Sequence, residues 1–595
     1  MARKILRGIP VSAGISIGKA YFVNRQKERR IPRETIPHHL VGIETERLRN
    51  AVEEVRQGFM DARARVPEEL KEHGAIIDSH LMICQDPKLI ESAAKNIADR
   101  AITAEWALER SINAIGKAFS AIDDPYIRER MQDVRVVGDK IMQALIGTPK
   151  PVDLPAGRRV LMAHDLTPAD AIEIELSRIM SFATAEGGKT SHTGILARSL
   201  QIPAIVGVED LEDSIRDGDL VIVDALKGLI FIDPSEEELV HYGDRKYQFE
   251  DYQKAIVKQC HFPAETVDGY RLEVCANIEL AEELVQVKDN GGQGVGLYRT
   301  EYAFFNKKKM PDEEMLYEEY TTLAEQLSPG KVILRTLDVG ADKLLDEQAM
   351  LEEANPALGL RGIRFCLRYQ SLFRMQLRAM LRSSVHGNVS IMFPMISGLK
   401  ELRQARFVLN SVKSELDAEG VAYNPDIPVG IMIELPSAVM IADTLAREVD
   451  FFSIGTNDLI QYSLGIDRTN KHVSYLYQPL HPAIVRSIKY VIDAAHKEGI
   501  EASVCGEVAS DPYCVPILMG MRVDGISIAP QAIPGIKRII RQIDMEECIE
   551  LLGDVLTHAT VSRINTKVRK RIFKRFPEEL SFFASLIEQD DITEP

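Results

Sequence analysis

The sequence predicts a multidomain α/β protein whose carboxyl half is a TIM (β/α)8 barrel, and three textures along the chain predict it. Between about residues 262 and 540, eight short apolar runs alternate with helical stretches, the eightfold repeat such a barrel requires. Residues 34–147 carry only helical spacing, and the stretch from Arg159 to Asp233 changes to short apolar runs separated by helical segments. A chain of 595 residues that is 45% hydrophobic has material for large cores, and its length suggests three or four folding units.

Taken in order, Leu48, Val52, Val55 and Phe59 recur at intervals of three and four, as do Ile112, Ile115 and Phe119, so a helical bundle is expected. The α/β unit is read from apolar runs at 160–163, 179–183, 220–223 and 229–232. Ser235 with Glu238 three residues later forms a capping box, and the charged segment continues to Gln259 with only Gly243 as a weak point. That spacing predicts a connecting helix on the order of 35 to 40 Å long. The eight barrel strands are expected at 272–278, 295–298, 332–337, 389–395, 429–435, 451–454, 502–505 and 526–529.

The formal charge of −17 argues against bulk attraction to nucleic acid or anionic lipid. Cysteines at 84, 260, 275, 366, 505, 514 and 548 form no C-x-x-C pair and no zinc spacing, which points to reduced thiols and a cytoplasmic location. The N-terminus lacks the apolar stretch of a signal peptide, and no segment approaches the roughly 20 apolar residues that span a bilayer, so membrane insertion is not expected.

Chemistry is expected at two places. His192 sits in the run Gly187 to Arg198, among hydroxyl residues and glycines where an apolar strand gives way to a helix. Thr190 or Ser191 is placed to cap that helix, whose first N–H groups favour an anion, so the histidine is a candidate phosphoryl carrier. Gly188, Lys189 and Thr190 spell half of a nucleotide-binding P-loop, but the glycine it also requires is Ala183.

The second place is the carboxyl end of the barrel strands, where Asn277, Arg299, Arg335 with Asp338, Glu434, Asn457 with Asp458, and Cys505 with Glu507 fall. Arg361 and Arg468 lie in the loops that follow. Guanidinium forks suit a small polyanion rich in phosphate and carboxylate oxygens. Glu434 and Asp458 offer oxygen ligands with no histidine or thiolate cluster nearby, which suits Mg²⁺ and metal-assisted phosphoryl transfer. The run Gly291 to Gly296 superficially resembles a dinucleotide loop, yet the third glycine it requires is Leu297 and it leads into a strand rather than out of one.

These residues together resemble enzyme I of the bacterial phosphoenolpyruvate-dependent phosphotransferase system, over nearly the whole chain. The resemblance rests on Gly-Gly-Lys-Thr-Ser-His-Thr around His192, on Gly296 to Glu301, on Arg335 to Asp338, on Asn457, Asp458 and Arg468, and on Val-Cys-Gly-Glu at Cys505. It implies His192 as phosphohistidine and Cys505 as proton donor. Arg299, Arg335, Asn457, Asp458 and Arg468 then bind phosphoenolpyruvate, with Arg361 a further candidate, and Glu434 and Asp458 hold Mg²⁺. Lys189 stands where arginine is common, which keeps the charge but loses the fork.

The implied architecture is a swivelling phosphohistidine domain (1–33 and 148–233), a helical subdomain that docks the carrier HPr (34–147), a linker helix (234–261), a barrel (262–575) that dimerises, and an extension (576–595). The implied activity is autophosphorylation followed by transfer to HPr, the first step of the sugar phosphotransferase system, with the sugar-uptake and regulatory branches both open. A pyruvate phosphate dikinase or phosphoenolpyruvate synthase shares similar units but also needs an ATP-grasp domain, for which 34–147 is too short. A catalytically silent phosphoenolpyruvate sensor is the remaining alternative.

Overall fold

The architecture is that of a computed structural model that describes residues 4–23, 34–65, 80–84, 86–120, 125–146, 157–164, 178–187, 197, 202–305, 310–340, 355–467, 470 and 473–576. The chain divides into two compact units, Met1–Glu250 and Asp251–Pro595.

Among the described residues of the first unit, helices α1 (Val41–Arg65), α2 (Pro87–Arg100), α3 (Ala104–Ser120) and α4 (Pro125–Ile146) share one bundle core. The periodic residues Leu48, Val52 and Phe59 meet Ile97, Leu108 and Ile141 in its core. Asp86 caps α2 by accepting from Lys88 N at 2.8 Å, with Pro87 at the first helical position, where a missing N–H costs nothing. Glu44 of α1 accepts from the first N–H of α3, Ala104 N, at 2.9 Å, so one helix face closes the end of another.

The same unit holds an eight-stranded sheet of β1 (Lys4–Arg7), β2 (Ile9–Ser12), β3 (Ile15–Val23), β4 (Arg159–Ala163), β5 (Ile179–Thr184), β6 (Ala204–Val206), β7 (Leu220–Asp224) and β8 (Leu229–Ile232). Their order is β1-β8-β7-β3-β4-β5-β6-β2. The centre, β3 to β6, is parallel and the flanks are antiparallel. Along β4, Val160 and Met162 join the core on one face and Leu161 and Ala163 that on the other, so both faces are covered. Strands β1, β2, β3 and β6 escaped the apolar-run reading because polar residues interrupt the first three and β6 has only three residues.

Helix α5 (Glu236–Lys258) starts with the expected capping box: Ser235 N donates to Glu238 Oε2 at 2.8 Å and Glu238 N to Ser235 Oγ at 3.3 Å. No helix among the described residues is long and apolar enough to cross a membrane.

The second unit is a closed barrel of eight parallel strands: β9 (Glu273–Ile278), β10 (Val295–Arg299), β11 (Val332–Arg335), β12 (Val389–Phe393), β13 (Val429–Ile433), β14 (Phe451–Gly455), β15 (Glu501–Cys505) and β16 (Gly525–Ile528). Leu297, Ile333, Met392, Met432 and Phe451 fill its interior with Cys505. Their neighbours Tyr298, Val332, Leu334, Ile391, Ile431, Ile433 and Phe452 pack outward under the helices.

Strand β10 reaches this pattern only through a bulge. Val295 and Tyr298 both belong to the outer core although three residues apart, and the register shifts between them against both β11 and β9. The bulge restores inward parity at Leu297 and Arg299. Gly296 permits it, since a Cβ there would lie 2.6 Å from Ser527 Oγ and 3.1 Å from Cys275 Cβ.

Four strands end sooner than the sequence suggested, β16 by one residue and β11, β12 and β13 by two. Side chains and a following helix take over backbone groups beyond the last three: Leu337 N donates to Gln376 Oε1 at 3.0 Å, Met395 N, at a φ of 57°, to Glu434 Oε1 at 2.6 Å, and Leu435 O accepts from Ala438 N at 3.0 Å. At the C-terminus, the basic stretch from Lys567 to Arg575 lies on the helix Val561–Arg575, and its charges face the acidic helix Met545–Thr557: Arg571 to Glu550 at 2.7 Å, Arg575 to Glu547 at 3.3 Å, Lys567 to Asp554 at 3.9 Å. Three of the six basic residues of the stretch are thus paired within the chain. Phe576, just past this helix, is fully buried in the barrel core.

Replacing Gly296 with alanine should overpack the interior and cost about 1–3 kcal/mol of barrel stability. The measurement is the shift in urea midpoint, and an unchanged midpoint would refute the steric account of this bulge.

Candidate active site

Inward parity carries side chains to the barrel mouth on six of the eight strands. Asn277, Arg299, Arg335, Glu434, Gly455 and Cys505 therefore line one cavity of about 230 Å³ at the carboxyl ends of the strands, together with Glu301, Asp338, Arg361, Asn457 and Asp458 from the loops beyond. Seven of the nine site residues expected from sequence gather there: Arg299, Arg335, Arg361, Glu434, Asn457, Asp458 and Cys505. His192 and Arg468, like Lys189, lie outside the described residues.

The guanidiniums and carboxyls form one chain of contacts. Arg335 donates to Glu301 and pairs with Asp338 at 3.1 Å. Arg361 grips both oxygens of Asp338 at 3.1 Å each and reaches Asp458 at 3.0 Å and the Tyr462 hydroxyl at 3.2 Å. Arg299 pairs with Glu279 at 2.5 Å nearer the solvent. Asn457 Oδ1 accepts from Tyr477 at 3.2 Å and from Glu507 N at 3.0 Å.

Burial sets the protonation of this network. Against the upward push of burial, the guanidiniums of Arg335 and Arg361 hold the Asp338 carboxyl below the usual carboxylate range. Burial pushes the Glu301 carboxyl up, and Arg335 offsets only part of that. Burial, then the nearby Asp458 and Asp338, push Glu434 well above the ordinary range. At Cys505, burial pushes the thiol up to about 11, with the hydrogen bond from Ser453 Oγ, 3.0 Å from Sγ, working the other way. A thiol of that kind holds its proton at neutral pH.

Three guanidiniums and four carboxyls line the cavity, so an anion entering it needs further positive charge. Oxygens of Asp338, Glu434 and Asp458 lie within 4.8 Å of one another, close enough to share a metal ion. Both Asp338 oxygens are already engaged by arginine, which leaves Glu434 and Asp458 as the better ligands. A hard divalent cation fits these donors: they are all carboxyl groups, and a cation would offset the burial and the acidic neighbours that push Glu434 above the ordinary range. Arg335 Nε and Asn277 Oδ1 are buried and have no hydrogen-bond partner among the described residues, polar atoms suited to a bound ligand.

Sequence reading missed several contributors. Glu301 stands inside the run from Gly296 that drew attention to Arg299, but an acid beside two arginines gave no sign of which one it would hold. Ser453, the lone hydroxyl in an apolar strand, carried a parity signal, being two residues from inward Phe451. Tyr462 stands four residues after Asp458 on the helix Thr456–Leu464, the spacing at which side chains share a face. Glu279 carried no signal beyond following a strand end.

Three family profiles match successive parts of the chain: "PEP-utilising enzyme, N-terminal" over residues 7–130, "PEP-utilising enzyme, mobile domain" over 155–228 and "PEP-utilising enzyme, PEP-binding domain" over 253–545. A phosphoenolpyruvate-protein phosphotransferase from Bacillus sp. (strain S) is 39% identical over 569 residues, covering 95% of this chain and 98% of its own. The protein of the same name from Geobacillus stearothermophilus matches at 39% with the same coverage. That from Listeria innocua is 40% identical over 95% of this chain and 99% of its own.

A divalent cation should raise the melting temperature of the ligand-free protein, and Glu434→Gln should abolish the rise while stabilising the ion-free form by about 1 kcal/mol, because the amide escapes the cost of burying a carboxyl beside two acids. Differential scanning calorimetry with and without magnesium reads both; a rise that persists in the variant excludes Glu434 as a ligand. Alkylation of Cys505, mapped by mass spectrometry, should accelerate about tenfold per pH unit up to the thiol's pKa near 11, since only the thiolate reacts. A plateau near pH 8 would mean an ordinary thiol.

Proposed function

Because the chain belongs to the phosphoenolpyruvate-protein phosphotransferase family, we propose that its barrel mouth binds phosphoenolpyruvate and that His192 takes the phosphoryl group and delivers it to the histidine of an HPr-type carrier protein. The observation that carries the reading is the single cavity in which Arg299, Arg335, Arg361, Glu434, Asp458 and Cys505 meet.

The residues divide the work by charge. Arg299 and Arg335, with Arg361 and Arg468, bind the phosphate and carboxylate oxygens, and their fixed charge stabilises the transferring group without reorganisation. The Nε or Nδ of neutral His192 attacks phosphorus in line, forming an N–P bond as the bridging P–O bond breaks. The electron pair left on the enolate of pyruvate is quenched when Cys505 gives its proton to carbon, and the thiolate regains one from solvent. Asn457 orients substrate beside Asp458. Glu434 and Asp458 would hold a magnesium ion, which would supply charge neutralisation to the substrate.

The remaining roles belong to the same proposal. Helices α1 to α4 offer the carrier its docking surface, the domain of β1 to β8 swivels with His192, the barrel dimerises, and the protein works in the cytoplasm as the first step of sugar uptake.

Replacing His192 with alanine should abolish labelling by radioactive phosphoenolpyruvate and leave phosphoenolpyruvate binding intact; label on another histidine in that variant would refute the assignment. Cys505→Ala should lower kcat for pyruvate release by about 10²- to 10⁴-fold with little change in substrate affinity, as loss of a general acid does. Steady-state kinetics with HPr as acceptor separate the two parameters, and an unchanged kcat would remove Cys505 from proton transfer.

A further inference from the structure

At the opposite end of the barrel, where β9 and β10 begin, a second cavity of about 420 Å³ opens among the segments that precede those strands and the helix Ile533–Ile540. Its ionisable lining residues are His261, Arg271, Lys288 and Lys537, all basic, on a chain whose formal charge is −17. Glu265 accepts from Arg271 Nε at 2.5 Å from outside the lining, leaving the terminal nitrogens of that guanidinium to the cavity side.

Lys537 is only 1% exposed. Its ammonium donates to the carbonyls of Cys260 at 2.6 Å and Gly291 at 2.9 Å, which leaves a third N–H, and no carboxylate among the described residues pairs with it. Burial, then the charge of Arg541, depresses the Lys537 pKa to about 8. Arg541, one turn on and partly exposed, reaches the Phe262 carbonyl at 3.5 Å through Nη1, and its Nη2 has no hydrogen-bond partner among the described residues. A buried ammonium such as that of Lys537, with no carboxylate paired to it among the described residues and beside a cavity whose lining carries no acid, is costly unless an anion joins it. The backbone of the glycine turn does not serve this purpose, because Gly291 N and Gly292 N already donate to Lys288 O and Val287 O.

We propose that this cavity is a binding site for a small oxyanion of at least two negative charges, phosphate- or carboxylate-based, held by Lys537 and Lys288 with Arg271 and His261 at its rim. The site is separate from the barrel mouth and does not depend on the phosphotransfer reading.

The test is calorimetric titration of the full chain at low ionic strength, without magnesium, using inorganic pyrophosphate in one arm and citrate in the other. Saturable binding is expected in at least one arm, and the arm that responds gives the chemical class. Arg271→Ala/Lys288→Ala, both exposed and expected to fold, should weaken it by about tenfold or more through two lost charge-assisted contacts, while Arg299→Ala at the mouth leaves it unchanged. Lys537→Met, checked for folding by circular dichroism, should abolish it. No saturation by about 10 mM in either arm, or binding insensitive to Arg271→Ala/Lys288→Ala, overturns the proposal.

Discussion

A closed parallel barrel turns every second side chain inward, and that constraint places the chemistry of this protein. Leu297, Ile333, Met392, Met432 and Phe451 fill the interior, so the next inward residues have nowhere to go but the mouth. Arg299, Arg335 and Glu434 are those residues on three of the strands, and Gly455 reaches the mouth one inward position beyond Ser453. Strand β10 would break the rule without its bulge, and Gly296 is the residue whose missing side chain allows the correction. A backbone irregularity of one residue therefore decides whether a cation faces solvent-filled cavity or packed helix.

The same crowding explains why the mouth is electrically unfinished. Arginines are held by carboxyls before any substrate arrives, and Glu434 is driven toward its neutral form by burial and by its acidic neighbours. Such a network is costly as a pure stability device, since desolvation of buried ions offsets much of their attraction. It is well suited to exchange partners: an anion takes over the guanidiniums while a cation takes over the carboxyls. Cys505 lies on the apolar side of this boundary, which keeps its proton in place.

Elsewhere the chain satisfies its charges internally. The acidic helix Met545–Thr557 meets the basic helix Val561–Arg575, and such surface pairs contribute about 0–1 kcal/mol each, enough to set helix register without dominating stability. At the base of the barrel, Lys537 and Arg541 turn instead to backbone carbonyls, with no carboxylate paired to them among the described residues.

The sequence by itself determined the alternation of helices and strands, the eight barrel strands, the capping box of α5 and the residue types gathered at strand ends, because periodicity and caps are local properties. It also singled out His192 through its glycine and hydroxyl neighbours. It did not reveal β1, β2, β3 and β6, whose short or interrupted runs become strands only by pairing with β8, β6, β7, β4 and β5 across the chain. Nor did it reveal that Arg361 would clamp Asp338 and Asp458, that Ser453 would hold Cys505, or that the basic C-terminal stretch would find its acids in the preceding helix. Those outcomes depend on distances between residues far apart in sequence, and only closure of the barrel fixes which charge meets which.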